Sequence, residues 1–116
     1  MKHIEMEERP WGRFFVIHEE PTYKLKRIEV APDQRLSYQY HNERSESWTI
    51  VEGRGILTIN GLDTDIGKGD TITIEKKDKH RIQNTGDDLL VFIEVQTGSY
   101  FGEDDIVRIQ DDYKRI

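Results

Sequence analysis

The chain has 116 residues with 17 basic and 23 acidic side chains, a formal net charge of −6, and no cysteine. Disulfides and thiolate metal sites are excluded, so any metal must use nitrogen and oxygen ligands. The acidic balance argues against a nucleic-acid partner, which calls for a basic stripe.

The length fits one domain, residues 1–116, which can bury roughly two-thirds of its unfolded surface around one core. The sequence starts without an apolar signal region, and no run approaches the ~18 apolar residues of a membrane span. The expectation is a soluble, cytoplasmic protein with no membrane partner. Charged and hydrophobic residues each make up 34% of the chain, so apolar residues must be placed economically, as in sheets with one wet face.

Helix-period apolar stretches are scarce, whereas short alternating runs bounded by turn residues recur along the chain. "GRFFVIHE" (12–19) reads as a strand ending near Pro21, and "YKLKRIEV" (23–30) alternates until "APDQ". "LSYQYHNE" (36–43) is polar and tyrosine-rich; if extended, it lines Gln39, His41 and Glu43 along one face. "SWTIVEG" (47–53) stops at "GRG", and "GILTIN" (55–60) enters Asn60-Gly61, a pair suited to the positive φ angles of a tight hairpin. "DTDIGKGD" (63–70) reads as a turn-rich bridge, followed by strands "TITIEK" (71–76) and "KHRIQN" (79–84). "LLVFIEVQ" (89–96) is the most apolar run and is expected at the centre of a sheet. The tail 98–115 carries one apolar patch, Ile106, Val107 and Ile109, suited to a helical turn or a last strand. Many short strands without intervening helices predict an all-β jelly-roll barrel, with an immunoglobulin-like sandwich as the alternative.

Two spaced motifs separate these folds, and in them the chain resembles the cupin superfamily. The first cupin motif, G-x5-H-x-H-x3–4-E-x6-G, is matched in spacing by Asp33, Gln39, His41, Glu46 and Gly53. The second, G-x5-P-x-G-x2-H-x3-N, is matched by Gly69, Glu75, Lys77, His80 and Asn84. Asp33 and Lys77 therefore stand where the motifs carry glycine. Motif one spans about 33–53, motif two about 69–84. A narrower resemblance, from about Arg9 to Arg115, is to the type II phosphomannose isomerase domain that follows a nucleotidyltransferase in bifunctional mannose-1-phosphate guanylyltransferase/isomerases. It rests on "RPWGRF", "LSYQYHNERSESW", "KHRIQN" and a tail from about 94 to 115, "EVQTGSYFGEDDIVRIQDDYKR". That family usually shows Q-x-H-H-H-R-x-E-H-W, so Asn42, Glu43 and Ser47 replace histidines, and Lys114 stands where glycine is common. The chain shows no glycine-rich nucleotide loop, so the resemblance implies at most the isomerase activity.

The resemblance implies a cupin double-stranded β-helix holding one divalent metal through Gln39, His41, Glu46 and His80. Zinc suits these residues best, with manganese, cobalt, nickel or iron as alternatives. Glu43 is an additional candidate ligand. The implied reaction interconverts mannose 6-phosphate and fructose 6-phosphate through an enediol. Arg44 and Arg108 are candidates for the phosphate, Arg44 and Glu94 are candidate catalytic groups, and the acids of "GEDD" (102–105) are further candidates for the base if they face the pocket. Blander roles stand beside these: His80 satisfied by a backbone group, Arg108 paired with Asp104, Asp105 or Asp111, Trp11 and Trp48 in the core, Asn84 in a turn. A non-catalytic carbohydrate-binding cupin and a metal-dependent oxygenase are the other functional readings. Cupins often pair through barrel edges, which implies a homodimer.

Overall fold

The computed structural model describes residues 3–115, and among these there is no helix. Eleven strands follow one another: β1 Glu5–Arg9, β2 Gly12–Glu20, β3 Tyr23–Val30, β4 Tyr38–Tyr40, β5 Arg44–Glu52, β6 Arg54–Ile59, β7 Leu62–Gly67, β8 Thr71–Ile74, β9 His80–Asn84, β10 Leu90–Gly98 and β11 Val107–Gln110. They form two antiparallel sheets, ordered β1-β2-β3-β10-β5-β8 and β11-β4-β9-β6-β7. From β3 onward the chain passes back and forth between the sheets, and only the β6–β7 hairpin stays within one. This winding is the jelly-roll barrel expected from the two motifs. The most apolar run, β10, lies between β3 and β5 as anticipated.

The local differences have physical causes. The expected strand 36–43 is extended only over β4, and the backbone bends at Asn42 and Glu43. The bend breaks the two-residue alternation that would have placed Glu43 beside His41. The stretch 63–70, read as a bridge, instead supplies β7, which pairs with β6 from Ile59↔Leu62 to Arg54↔Gly67. Its polar residues face water on an edge strand, so it lacks the apolar alternation that marks half-buried strands. The "EMEER" segment, too charged to read as a strand, is held as β1 by pairing with β2. The tail ends in a strand, β11, rather than a helical turn.

Three backbone positions account for glycines that this chain lacks. Asp33 (φ 64°), Lys77 (φ 68°) and Lys114 (φ 58°) are all left-handed, at the points where the related patterns carry glycine. A side chain there costs about 1–2 kcal/mol, somewhat less for aspartate, whose short polar group suits this region. The fold therefore keeps the turn and tolerates the residue. Asn60 and Gly61 (φ 48° and 85°) form the tight β6–β7 hairpin as expected.

The core follows from alternation along the strands, and so does the site. On β10 one inward row reads Leu90, Phe92, Glu94, Gln96; on β5 it reads Arg44, Glu46, Trp48, Ile50; on β3 it reads Lys24, Lys26, Ile28, Val30, all of them buried. Register aligns these rows by polarity. Phe92 faces Ile28 and Ile50, whereas Glu94 faces Lys26 and Trp48, and Gln96 faces Lys24 and Glu46. One end of the barrel is thus an apolar floor, and the other is a buried polar chamber. Phe92 and Trp48 stack at 4.4 Å between centroids and mark the boundary.

Candidate metal centre

Strands from both sheets carry polar side chains into the chamber. Gln39 on β4 lies directly opposite His80 on β9, so both side chains share the inner face. His41 follows β4, and Glu46 comes from β5 of the other sheet. One nitrogen each of His41 and His80 and one carboxylate oxygen of Glu46 lie within 4.8 Å of one another, with all three residues buried. His41 Nε2 is 3.3 Å from Glu46 Oε2. Two donors bonded to one ion at about 2.0–2.1 Å with tetrahedral angles would be about 3.3 Å apart.

The imidazoles are oriented for ligation. His41 Nδ1 lies 2.8 Å from the Asp105 carbonyl, and His80 Nδ1 lies 2.8 Å from the Asp78 carbonyl. A carbonyl only accepts, so each Nδ1 carries the proton and each Nε2 presents a lone pair. His80 Nε2 is buried without a hydrogen-bond partner, an arrangement that a metal ion would satisfy. Burial, reinforced by Arg44 and by the other imidazole, pushes His41 down to about 4; burial also lowers His80. Both rings are neutral at neutral pH, as ligation requires. Gln39 lines the same chamber, its carboxamide oxygen accepting from Ser37 Oγ at 3.0 Å. The donor set of nitrogens and oxygens therefore fits a divalent ion.

Two carboxyl groups, Glu46 and Glu94, share one donor in the chamber. Trp48 Nε1 donates to Glu46 Oε1 at 3.0 Å and to Glu94 Oε1 at 3.2 Å. Gln96 Nε2 donates to the other Glu94 oxygen at 3.0 Å, and Gln96 Oε1 is left unpartnered. Burial and the adjacent Glu46 push Glu94 up to about 8.

Arg44 is buried within the group rather than exposed on a loop. Its Nε donates to Glu46 Oε2 at 2.9 Å, and Nη2 lies 3.4 Å from His41 Nε2. The guanidinium thus faces the same two atoms that a metal would use, and its Nη1 has no partner. Burial disfavours its charge, but Glu46 and Glu94 outweigh that and hold it above its usual range. Arg108 also lines the chamber, with an unpartnered Nε, rather than pairing with the neighbouring aspartates.

Glu43 lies outside the group. It is exposed, and its Oε2 accepts from Ser99 Oγ at 3.1 Å. Asn42 and Ser47 are exposed as well, so all three replacements of family histidines point away from the chamber. Trp48 belongs to the chamber wall and the core at once, Trp11 to the core, and Asn84 to the turn before β10, where it donates to the Val30 and Asp88 carbonyls.

Sequence reasoning missed several chamber residues, Lys26, Arg9, Arg115 and Gln96, whereas Glu103, which pairs with Lys26 and lines the chamber, is one of the "GEDD" acids it names. Lys26 and Gln96 carried a legible signal. Each is a polar residue at a position where strand alternation demands an inward side chain.

Comparison with known proteins agrees with this geometry. The family model described as "Mannose-6-phosphate isomerase C-terminal" matches residues 1–111. The mannose-1-phosphate guanylyltransferase ManC of Salmonella typhimurium is 42% identical over 108 residues, 93% of this chain and 22% of that protein. The xanthan biosynthesis protein XanB of Xanthomonas campestris is 40% identical over 107 residues, 92% of this chain and 23% of that protein. The chain thus spans about a fifth of the length of these curated relatives. Among solved structures, the capsular polysaccharide assembling protein CapF of Staphylococcus aureus superposes with a TM-score of 0.82 at 18% identity, covering 95% of this chain and 32% of that one. The Streptomyces nucleoside dehydratase Pac13 gives 0.78 at 16% identity, covering 96% and 92%. A double-stranded β-helix protein of Klebsiella pneumoniae gives 0.72 at 20%, covering 81% and 80%. These likenesses show the fold, and the sequence matches show more: the chain belongs to the mannose-6-phosphate isomerase C-terminal domain family.

Proposed function

We propose that this domain is a metal-dependent sugar-phosphate isomerase that interconverts mannose 6-phosphate and fructose 6-phosphate. The observation that carries the reading is a buried His41–Glu46–His80 group beside the buried Glu94 carboxyl, which shares the Trp48 donor with Glu46. His41, His80, Glu46 and Gln39 would hold the ion, with zinc as the first choice for this donor set. A divalent ion there would polarise the sugar carbonyl and stabilise the enediol oxygens. Glu94 is the proton carrier: in the metal-free chamber burial and the Glu46 carboxylate push it up to about 8, and an ion on Glu46 would bring it down toward the range of a group that takes and returns a proton near neutrality. In the aldose-to-ketose direction a proton leaves C2 and ends on C1, while the O2 hydroxyl proton ends on O1. Trp48 and Gln96 fix the Glu94 carboxyl through one hydrogen bond to each oxygen. Arg44 and Arg108 take the phosphate, each with an N–H that has no other partner.

Asn42, Glu43 and Ser47 do not oppose this reading, because none of them faces the chamber. Pairing of two copies along the edge strand β1 would cover Met6 and the adjacent Ile4, both exposed, so a homodimer belongs to the same proposal. The reading is tested by incubating metal-loaded protein with mannose 6-phosphate in D2O. Loss of the C2 proton signal and appearance of fructose 6-phosphate are expected, and saturable sugar-phosphate binding with neither change would overturn the isomerase in favour of a binding domain.

A further inference from the structure

His41 is held in place from outside the barrel strands. The segment after β10 leaves one sheet at Gly98 and crosses the chamber mouth. It joins the other sheet as β11, where Val107 pairs with Tyr40 and Arg108 with Gln39. On the way Phe101 is buried, Glu103 pairs with the buried Lys26, and Ile106 and Arg108 line the chamber. At the point nearest His41 stands Asp105, which makes three contacts of its own. Its carbonyl accepts the His41 Nδ1 proton at 2.8 Å. Its carboxylate accepts the backbone N–H groups of Asn42 at 3.1 Å and Glu43 at 2.9 Å.

The bend after His41 has no strand pairing to fix it, so these contacts, together with the Lys77 N–H donating to the His41 carbonyl at 2.7 Å, set the direction of the imidazole. Three further ties act on the same bend, one of them the Ser99 N–H donating to the Glu43 carbonyl at 3.3 Å. Ser99 Oγ donates to Glu43, and Gly98 (φ 150°) sits so close that a Cβ there would lie 2.2 Å from the Glu43 carbonyl oxygen.

We propose that Asp105 is a positioning residue for the metal site, and that docking of the strap formed by residues 99–110 and binding of a divalent ion are coupled. The inference rests on His41 being a metal ligand. If the strap holds His41 Nε2 toward Glu46 and His80, then an ion bound to Nε2 holds the strap with the same free energy. A hydrogen-bond partner on the far side of a ligating histidine typically changes metal affinity 10–100-fold.

The test titrates Zn2+ into wild-type protein and into Asp105→Ala, Asp105→Asn and Asp112→Ala variants against a chromophoric chelator, with folding checked by circular dichroism. Amide hydrogen exchange of wild-type protein is measured with and without Zn2+. Asp112 lies on the same tail but pairs with Arg35 at the surface, so it controls for general loosening. Asp105→Ala keeps the carbonyl and removes the carboxylate bonds that place it, so the expected result is affinity about 10-fold weaker, the lower end of that range, with a smaller loss for Asp105→Asn and none for Asp112→Ala. Zn2+ should slow exchange at Asn42, Glu43 and the strap. Unchanged affinity in folded Asp105→Ala, or strap exchange insensitive to Zn2+, overturns the coupling while leaving the metal site standing. Should Asp105→Ala not fold, Asp105→Asn and the wild-type exchange decide. Absence of Zn2+ binding by wild-type protein refutes the metal site itself, and the coupling with it.

Discussion

Replacing Glu94 by glutamine should stabilise the metal-free protein and cripple the proposed reaction. Glu94 is fully enclosed, and burial followed by the Glu46 carboxylate raises it to about 8 from an ordinary 4.5. Between these values the folded state binds the proton that the unfolded state releases. The stability contributed by the neutral acid is therefore complete below about pH 4.5 and is lost as pH rises through about 8. By linkage, the cost of Glu94 relative to a neutral group grows with pH between these values and levels off above about 8, a rise on the order of 3 kcal/mol from pH 5.5 to 8.5. Glutamine keeps the size and an oxygen for Trp48 Nε1. Its amide can donate to Gln96 Oε1, now unpartnered, once the Gln96 carboxamide turns over. Urea unfolding of chelator-treated wild-type and Glu94→Gln protein across this range should show the variant gaining about 3 kcal/mol on wild type from pH 5.5 to 8.5. Turnover of the metal-loaded variant should fall about 10²–10⁴-fold, because an amide carries no proton. A stability difference that does not change with pH would refute the buried, neutral Glu94, and full turnover would refute its role as carrier.

Removing His80, whose Nε2 is the unpartnered buried nitrogen, should bring metal content from about one ion per chain to near zero by elemental analysis, whereas the exposed His18→Ala should retain it. Hydrogen bonds from the Arg115 side chain hold Asp111 down to about 2, so that contribution to stability is complete above the ordinary aspartate range and is lost as pH falls through about 2. Arg115→Ala should therefore begin acid unfolding at higher pH, read by fluorescence across a pH titration. Lys77→Gly should raise the thermal midpoint by relieving about 1 kcal/mol of left-handed strain while keeping the Lys77 N–H bond to the His41 carbonyl. A lower midpoint would show that the lysine side chain contributes more than its backbone costs.

Most of the barrel was legible because alternation and turn chemistry are local. β2, β3, β6 and the Asn60-Gly61 hairpin fall where their sequences place them. The motif spacing likewise anticipated that Gln39 and His80 would meet, and their direct pairing on adjacent strands is the physical meaning of that spacing. What sequence could not supply was the bend at Asn42 and Glu43, which depends on bonds to Asp105, 62 or 63 residues further along. That long-range tie turns Glu43 outward and Arg44 inward. The aligned polar ends of β3, β5 and β10 were equally hidden, since register between strands is not a property of any one of them. The left-handed positions show the converse: a family pattern marked Asp33, Lys77 and Lys114 as substituted glycines, and only the backbone shows why glycine was suited there.

The proposed function joins a single metal centre to isomerase chemistry, and the most direct test measures both on one sample. Elemental analysis of purified protein should give about one divalent ion per chain. The same preparation should interconvert mannose 6-phosphate and fructose 6-phosphate in both directions, lose this activity on chelation and regain it when the ion is returned. Protein that carries its full complement of metal and never interconverts the two sugars would contradict it.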